Sequence, residues 1–207
     1  MISRFERYLY SPSLNVFGSI VLASLWILFA QIHVNAYYVT GAAVFLIFVL
    51  SETLQAGFFL FRSQPKNVSL DPYVWLIAIG GTFATLYFRP GGVVLWQGGQ
   101  MLLILGFCLQ ILGLLSLNRS FALVAARREI KTHFAYRIVR HPMYASYSIS
   151  NIGYLLFNFT FPNLLCLTFV LVFFVLRIIE EEKLLAKDEK YVAYMKEVRY
   201  RLIPFLY

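Results

Sequence analysis

The side chains with the widest chemical range fall in two short stretches. One runs from Tyr136 through Arg140, His141, Pro142 and Met143 to Tyr144; the other is Arg177 followed by Glu180, Glu181 and Glu182. A guanidinium orients a carboxylate or phosphate through paired hydrogen bonds, and an imidazole or carboxylate can move a proton. Arg177 and Glu181 are four residues apart, so on a continuous helix they share a face. Each stretch also has a plainer reading. Pro at a first helical position starts a helix, cations are ordinary at a membrane surface, and Arg177–Glu181 is also a possible interfacial ion pair. No nucleophile–base pair demands a covalent intermediate. Cys108 and Cys166 both lie inside apolar runs, so neither a disulfide framework nor a metal site is expected.

The elements that must position these residues are apolar. Of 207 residues, 60% are hydrophobic and 14% charged, against about 25% charged in a soluble domain. An integral membrane protein follows, with residues 1–207 forming one domain. The net charge of +8 does not point to nucleic acid, because the cations fall between apolar runs and after the last one. A spanning helix needs about 20 apolar residues, and four runs qualify: Leu14–Ile32, Tyr37–Phe61, Pro72–Phe88 and Val93–Leu117. The first is long for a signal peptide and has no convincing cleavage site, so it is expected to stay as a membrane helix. "RSQPKN" and "RPGG" break the chain after the second and third runs.

The run from Met143 to Ile178 is too long for one crossing, and Pro162 in "FTFPN" breaks it. It predicts a hairpin, out along Met143–Asn158 and back along Asn163–Arg177. An amphipathic cytosolic helix follows, with Leu184, Leu185, Tyr191 and Tyr194 for packing. The predicted fold is all-α: a polytopic membrane bundle of four spanning helices (1–117), then a loop, a helical hairpin and the C-terminal helix (118–207). Alternating the spans puts Arg4, Arg7, Arg62, Lys66, residues 118–142 and the C-terminus on one side, with Arg89 on the other. The positive-inside rule makes the first side cytoplasmic.

Two polar features lie within the spans. Gly92, Gly99, Gly106 and Gly113 recur every seven residues beside Gln110. This stripe reads first as close helix packing, and second as a groove where a ligand meets the backbone. Glu52 lies in the second run. A carboxylate at mid-membrane costs roughly 2.5–3.5 kcal/mol, so it belongs either in the protein interior or at the cytosolic boundary.

Taken in order, the motifs from residue 118 onward resemble the isoprenylcysteine carboxyl methyltransferase and phospholipid methyltransferase superfamily. The pattern is carried by Ser120-Phe121, Thr132, Tyr136, Arg140-His141-Pro142, Tyr144, Gly153, Arg177, Glu181-Glu182 with Leu185, Tyr191, Tyr194 and Ile203-Pro204. Two positions depart from it: Phe134 and Ser146 stand where the family has glycine. The resemblance implies an S-adenosylmethionine cofactor held by Tyr136, His141, Pro142, Met143, Tyr144 and Glu181, with backbone contacts from Ile130 and Lys131. It implies that Arg177 faces the acceptor and that Arg177 and Glu181 carry the catalysis, with no metal. The implied acceptor is lipophilic, and the activity is most like carboxyl O-methylation of an isoprenylcysteine-type substrate at the cytosolic face.

An anionic acceptor needs no general base, whereas an amine must lose a proton, with Glu181 or Glu182 as the candidate base. Carboxylate, amine, phenol and thiol acceptors all stay open. Two other readings compete. NADPH-dependent reductases of the steroid reductase type share the Arg-His-Pro hairpin, but usually show Asn and Glu where this chain has Met143 and Ser146. A non-enzymatic transporter or assembly protein accounts for the apolar spans and Glu52 but not for the ordered motif.

Overall fold

A computed structural model describes residues 12–61, 67–68, 71–117, 126–127 and 132–205. These residues contain helices α1 (Pro12–Thr40), α2 (Val44–Phe61), α3 (Pro72–Phe83), α4 (Gly99–Leu117), α5 (Pro142–Phe157), α6 (Phe161–Leu185) and α7 (Glu189–Glu197). A 3-10 turn, Ala84–Tyr87, extends α3, and the two-residue strands β1 (Asn67–Val68) and β2 (Ala126–Arg127) pair antiparallel. Two of the described helices are long and apolar enough to cross a membrane, Gly99–Ser116 within α4 and Phe161–Leu185. Val44–Leu54 and Pro72–Tyr87 are apolar but shorter.

Local chemistry explains the boundaries. Between α1 and α2, Gly41 takes φ +69°, which a residue without Cβ adopts cheaply, and its N–H reaches back to the Tyr37 carbonyl at 2.7 Å. Asp71 caps α3 by accepting from Tyr73 N at 2.9 Å, with Pro72 in the first turn. The run does break beside Pro162: α5 ends at Phe157, and Pro162 lies in the first turn of α6, which Thr160 caps by accepting from Asn163 N at 3.1 Å. The hairpin is therefore α5 and α6, and α6 runs eight residues past the expected Arg177. The predicted C-terminal helix is divided. Its first part ends α6, and Asp188 caps a separate α7 by accepting from Lys190 N at 2.9 Å. The fourth apolar run also becomes helical later than expected, at Gly99, because Val93 bridges to Phe159 instead.

The glycine stripe is a seam between α4 and α5. A Cβ on Gly106 would lie 2.2 Å from Ser150 Oγ and 2.6 Å from Ser150 N, and one on Gly99 would lie 2.6 Å from the Gly153 carbonyl oxygen. The backbones meet at distances only glycine permits, so the packing reading holds. Ser146 lies on the same seam: its carbonyl oxygen would be 2.8 Å from a Cβ at Gly106. At 146, where the pattern this chain resembles has glycine, a serine is accommodated because glycine on the facing helix supplies the room.

At the end of α5 near Phe157, aromatic rings fill the core. Tyr154 stacks on Phe48 at 4.3 Å and meets Phe88 edge-on at 5.3 Å. His33 of α1 is buried beside them, its Nδ1 2.9 Å from the Phe29 carbonyl and its Nε2 2.8 Å from the Tyr154 hydroxyl. A carbonyl only accepts, so Nδ1 carries a proton and the neutral ring accepts from Tyr154 at Nε2. The loop 88–93 is pinned to the hairpin turn by two amides. Asn158 accepts from Gly92 N at 2.7 Å and donates to the Arg89 carbonyl at 2.6 Å. Asn163 accepts from Arg89 N at 3.0 Å and donates to the same carbonyl at 2.8 Å.

Candidate functional site

The opposite end of the hairpin gathers the charged motifs. Pro142 occupies the first turn of α5, and His141 precedes it as N-cap without a side-chain cap bond. The segment instead takes its order from the extended tail after α7. Arg140 N donates to the Tyr200 carbonyl and His141 N to the Arg201 carbonyl, both at 2.9 Å. Arg140 Nη1 donates to the carbonyls of Val198 at 2.9 Å and Arg199 at 2.8 Å.

Glu182 joins these pieces. Its Oε1 lies 2.7 Å from Arg140 Nε and 3.1 Å from His141 Nε2, and its Oε2 accepts from Arg201 Nε at 2.8 Å. A buried carboxylate is tolerable only with such partners. With both oxygens engaged by three basic side chains, it serves as a structural hub. That removes it as the candidate base that the acidic run suggested, and leaves Glu181.

Glu181 is 8% exposed and accepts from the Tyr144 hydroxyl. The Arg177 guanidinium carbon lies 5.3 Å from the centroid of the same tyrosine ring, within cation–π range. Arg177, 7% exposed, also donates from Nη1 to Thr82 Oγ1 at 2.8 Å. Gly81 makes room for its stem: a Cβ there would lie 3.3 Å from Arg177 Cδ. The helical spacing of Arg177 and Glu181 thus brings both to one tyrosine, from which the His141 ring is 5.9 Å away.

The other expected residues divide. Tyr136 is buried in the 3-10 turn Phe134–Arg137, and its carbonyl accepts from the Tyr194 hydroxyl at 2.7 Å. Met143 turns away, its Sδ 2.7 Å from where a Cβ on Gly113 would stand, so only its backbone is offered to the site. Ile130 and Lys131 lie outside the described residues. Phe134, at a position where the resembled pattern has glycine, takes φ +53° and is exposed, a left-handed backbone that glycine adopts most cheaply. Glu52 is settled as interior: it is 7% exposed and accepts from Thr85 Oγ1 at 3.1 Å.

Sequence reasoning missed Thr82, Arg201 and the hub role of Glu182. Arg201 is one of several cations in the tail, and nothing in spacing marks Thr82 as the partner of a residue 95 positions away.

The donor set fits S-adenosylmethionine in kind. A buried carboxylate, two tyrosines and a histidine converge at one end of the bundle. Carboxylate and aromatic faces suit a sulfonium and an ammonium, and Glu181 and His141 can meet ribose hydroxyls. The glycine seam adds nothing to this cradle, since α5 fills it.

The family model described as Phospholipid methyltransferase matches residues 94–189. The matched stretch contains α4, α5 and α6, and therefore Tyr136, Arg140, His141, Tyr144, Arg177, Glu181 and Glu182. No curated protein matches the chain.

Proposed function

We propose, from the premise that residues 94–189 belong to the integral membrane methyltransferases of the phospholipid and isoprenylcysteine superfamily, that this chain methylates a lipophilic acceptor with S-adenosylmethionine. The observation that carries the proposal is the triad at Tyr144, whose hydroxyl meets Glu181 while its ring lies beside Arg177. Tyr136, His141, Tyr144 and Glu181 hold the cofactor, with the backbone of Pro142 and Met143 beside them; the backbone contacts that the resemblance implies for Ile130 and Lys131 lie outside the described residues. When bound, the cofactor supplies an electrophilic methyl group on a sulfonium cation.

The chain's own residues then do three things. Arg177, fixed by Thr82, orients an anionic group of the acceptor, as a prenylcysteine carboxylate or a lipid phosphate requires. Glu181 is the proton acceptor when the nucleophile is an amine. The buried ends of α5 and α6 keep water from the reacting groups, so positioning supplies most of the rate. Of the acceptors considered, an isoprenylcysteine-type carboxylate uses Arg177 most directly and needs no base. No observation favours the reductase reading.

The site is assigned to the cytosolic side of a four-span bundle with its hairpin, on the asymmetry of the cations. A single cysteine at Lys187 should react with impermeant reagents from the cytosol, and one at Gly91 from outside. Labelling of both from one side would contradict the topology.

The functional test is a screen of prenylcysteine analogues and aminophospholipids with a radiolabelled methyl donor. Arg177→Ala should lower turnover or raise the acceptor KM while leaving S-adenosylhomocysteine affinity near wild type. Methyl transfer to none of them, or full activity in Arg177→Ala, would count against this reading.

A further inference from the structure

Two sets of buried polar groups lie beyond the Tyr144 triad. The Tyr147 hydroxyl has no hydrogen-bond partner among the described residues, although Tyr147 is only 7% exposed. Asn151 Nδ2, one turn along the same face of α5, is in the same condition. Leaving a buried hydroxyl unsatisfied is destabilising, and phenylalanine would fill the same space without that cost. Glu52 is the second. It accepts from Thr85 and forms no ion pair with any described residue.

These groups adjoin the site already described. Thr85 Oγ1, which donates to Glu52, also lies 3.1 Å from the Thr82 carbonyl, and Thr82 Oγ1 receives Arg177. Tyr144 and Tyr147 flank Phe174, at 5.3 and 6.1 Å between ring centroids. Tyr147 shares one buried cluster with Tyr144, Phe174 and Ala84, the neighbour of Thr85, and Leu54 of the Glu52 helix packs against that cluster. A polar path runs from Glu181 through Tyr144, Arg177, Thr82 and Thr85 to Glu52, and Tyr147 belongs to the cluster that flanks it. Glu52 lies outside the matched residues, so the family match assigns it nothing.

We infer that Glu52 and Tyr147 form a second polar subsite, which takes a nitrogen-borne hydrogen-bond donor on the same acceptor whose anionic group Arg177 faces. A carboxyl group and a phenol oxygen both accept from N–H. An anion instead finds its charge-assisted donor in the Arg177 guanidinium. Of the acceptor types retained above, a prenylcysteine carries this pair of groups apart from the reaction, a carboxylate with a neighbouring N–H, whereas in an aminophospholipid the amine is itself the nucleophile. The inference rests on the methyltransferase reading and adds to it what selects the acceptor.

The test uses the purified full-length protein in detergent, with hexadecylamine and hexadecanoate as probes of equal chain length. Affinities are read from ligand-dependent thermal midpoints for wild type, Glu52→Gln and Tyr147→Phe. Hexadecylamine should bind wild type and bind each variant at least about tenfold more weakly, while hexadecanoate affinity stays constant across the three. S-farnesylcysteine, run in parallel, should follow hexadecylamine across the three proteins; dioleoylphosphatidylethanolamine following it instead would place the nucleophilic amine at this subsite and overturn the assignment. Tyr147→Phe removes only the orphan hydroxyl, so its fold is not at risk. If it binds hexadecylamine as tightly as wild type, or if both variants lose the two probes equally, the subsite is overturned. S-adenosylhomocysteine, titrated in the same samples, should bind all three proteins alike. Its failure to bind wild type would instead overturn the methyltransferase reading.

Discussion

The two ends of α5 are fastened by opposite chemistry. At the Asn158 end, two neutral amides satisfy the backbone of the loop at Arg89 and Gly92. At the His141 end, Glu182 binds Arg140, His141 and Arg201, and the tail adds four backbone acceptors. Irregular backbone inside an apolar bundle must find partners within the protein, and the amide clamp does only that. The charged end does more. Beside its hub sits a second carboxylate, Glu181, whose Tyr144 contact does not tie α5 to the tail. One end fastens the hairpin, and the other fastens it while presenting ionisable groups, so damage to the two ends should differ in kind.

The largest effect is expected at the hub. Glu182→Ala leaves Arg140 and His141 buried without their carboxylate, a change that typically costs 3–5 kcal/mol. The thermal midpoint in detergent should fall sharply, and S-adenosylhomocysteine binding should fall with it. A midpoint near wild type would mean that the tail holds Arg140 without Glu182. Next comes Asn163→Ala at the amide end, which orphans the Arg89 N–H and weakens its carbonyl's contacts. About 1–3 kcal/mol of stability should be lost with cofactor affinity intact; a parallel loss of affinity would erase the distinction between the ends. Gly106→Ala forces a methyl into Ser150 on the seam that joins the two ends, costing roughly 1–3 kcal/mol. That loss should also leave cofactor affinity unchanged, because the seam is not part of the cradle. The smallest change is Phe134→Gly. It relieves a left-handed backbone worth about 1–2 kcal/mol against the greater flexibility of glycine when unfolded. The net gain in stability, read from the shift in thermal midpoint, should be at most about 1 kcal/mol.

The charged end was legible in the sequence because its residues belong to an ordered motif. His141, Tyr144, Arg177 and Glu181 do converge, and the four-residue spacing on α6 placed two of them correctly on one face. The hairpin was legible for a different reason: one apolar run too long for a single crossing contained a proline. The break falls where that proline marked it, between Phe157 and Phe161, and Pro162 sits in the first turn of α6, where its missing N–H costs nothing. The division between α6 and α7 was missed, because Asp188 sits within an amphipathic pattern that continues on both sides of its cap. The amide clamp left no trace, because Asn158 and Asn163 are ordinary turn residues until the loop 88–93 meets them. Glu182 carried no mark that separated it from Glu181, since adjacent residues on a helix look alike in sequence and point in different directions.

The central claim is that the charged end, and not the amide end, holds S-adenosylmethionine. Calorimetric titration of S-adenosylhomocysteine, with NADPH as the control, into wild type, Glu181→Ala and Asn163→Ala tests it most directly. Wild type should bind S-adenosylhomocysteine and not NADPH. Glu181→Ala should lose at least about tenfold in affinity, or roughly 1.4 kcal/mol, while remaining folded and monodisperse, and Asn163→Ala should bind as wild type does despite its lower thermal midpoint. Binding of NADPH instead, or equal affinity in Glu181→Ala and wild type, would contradict the account.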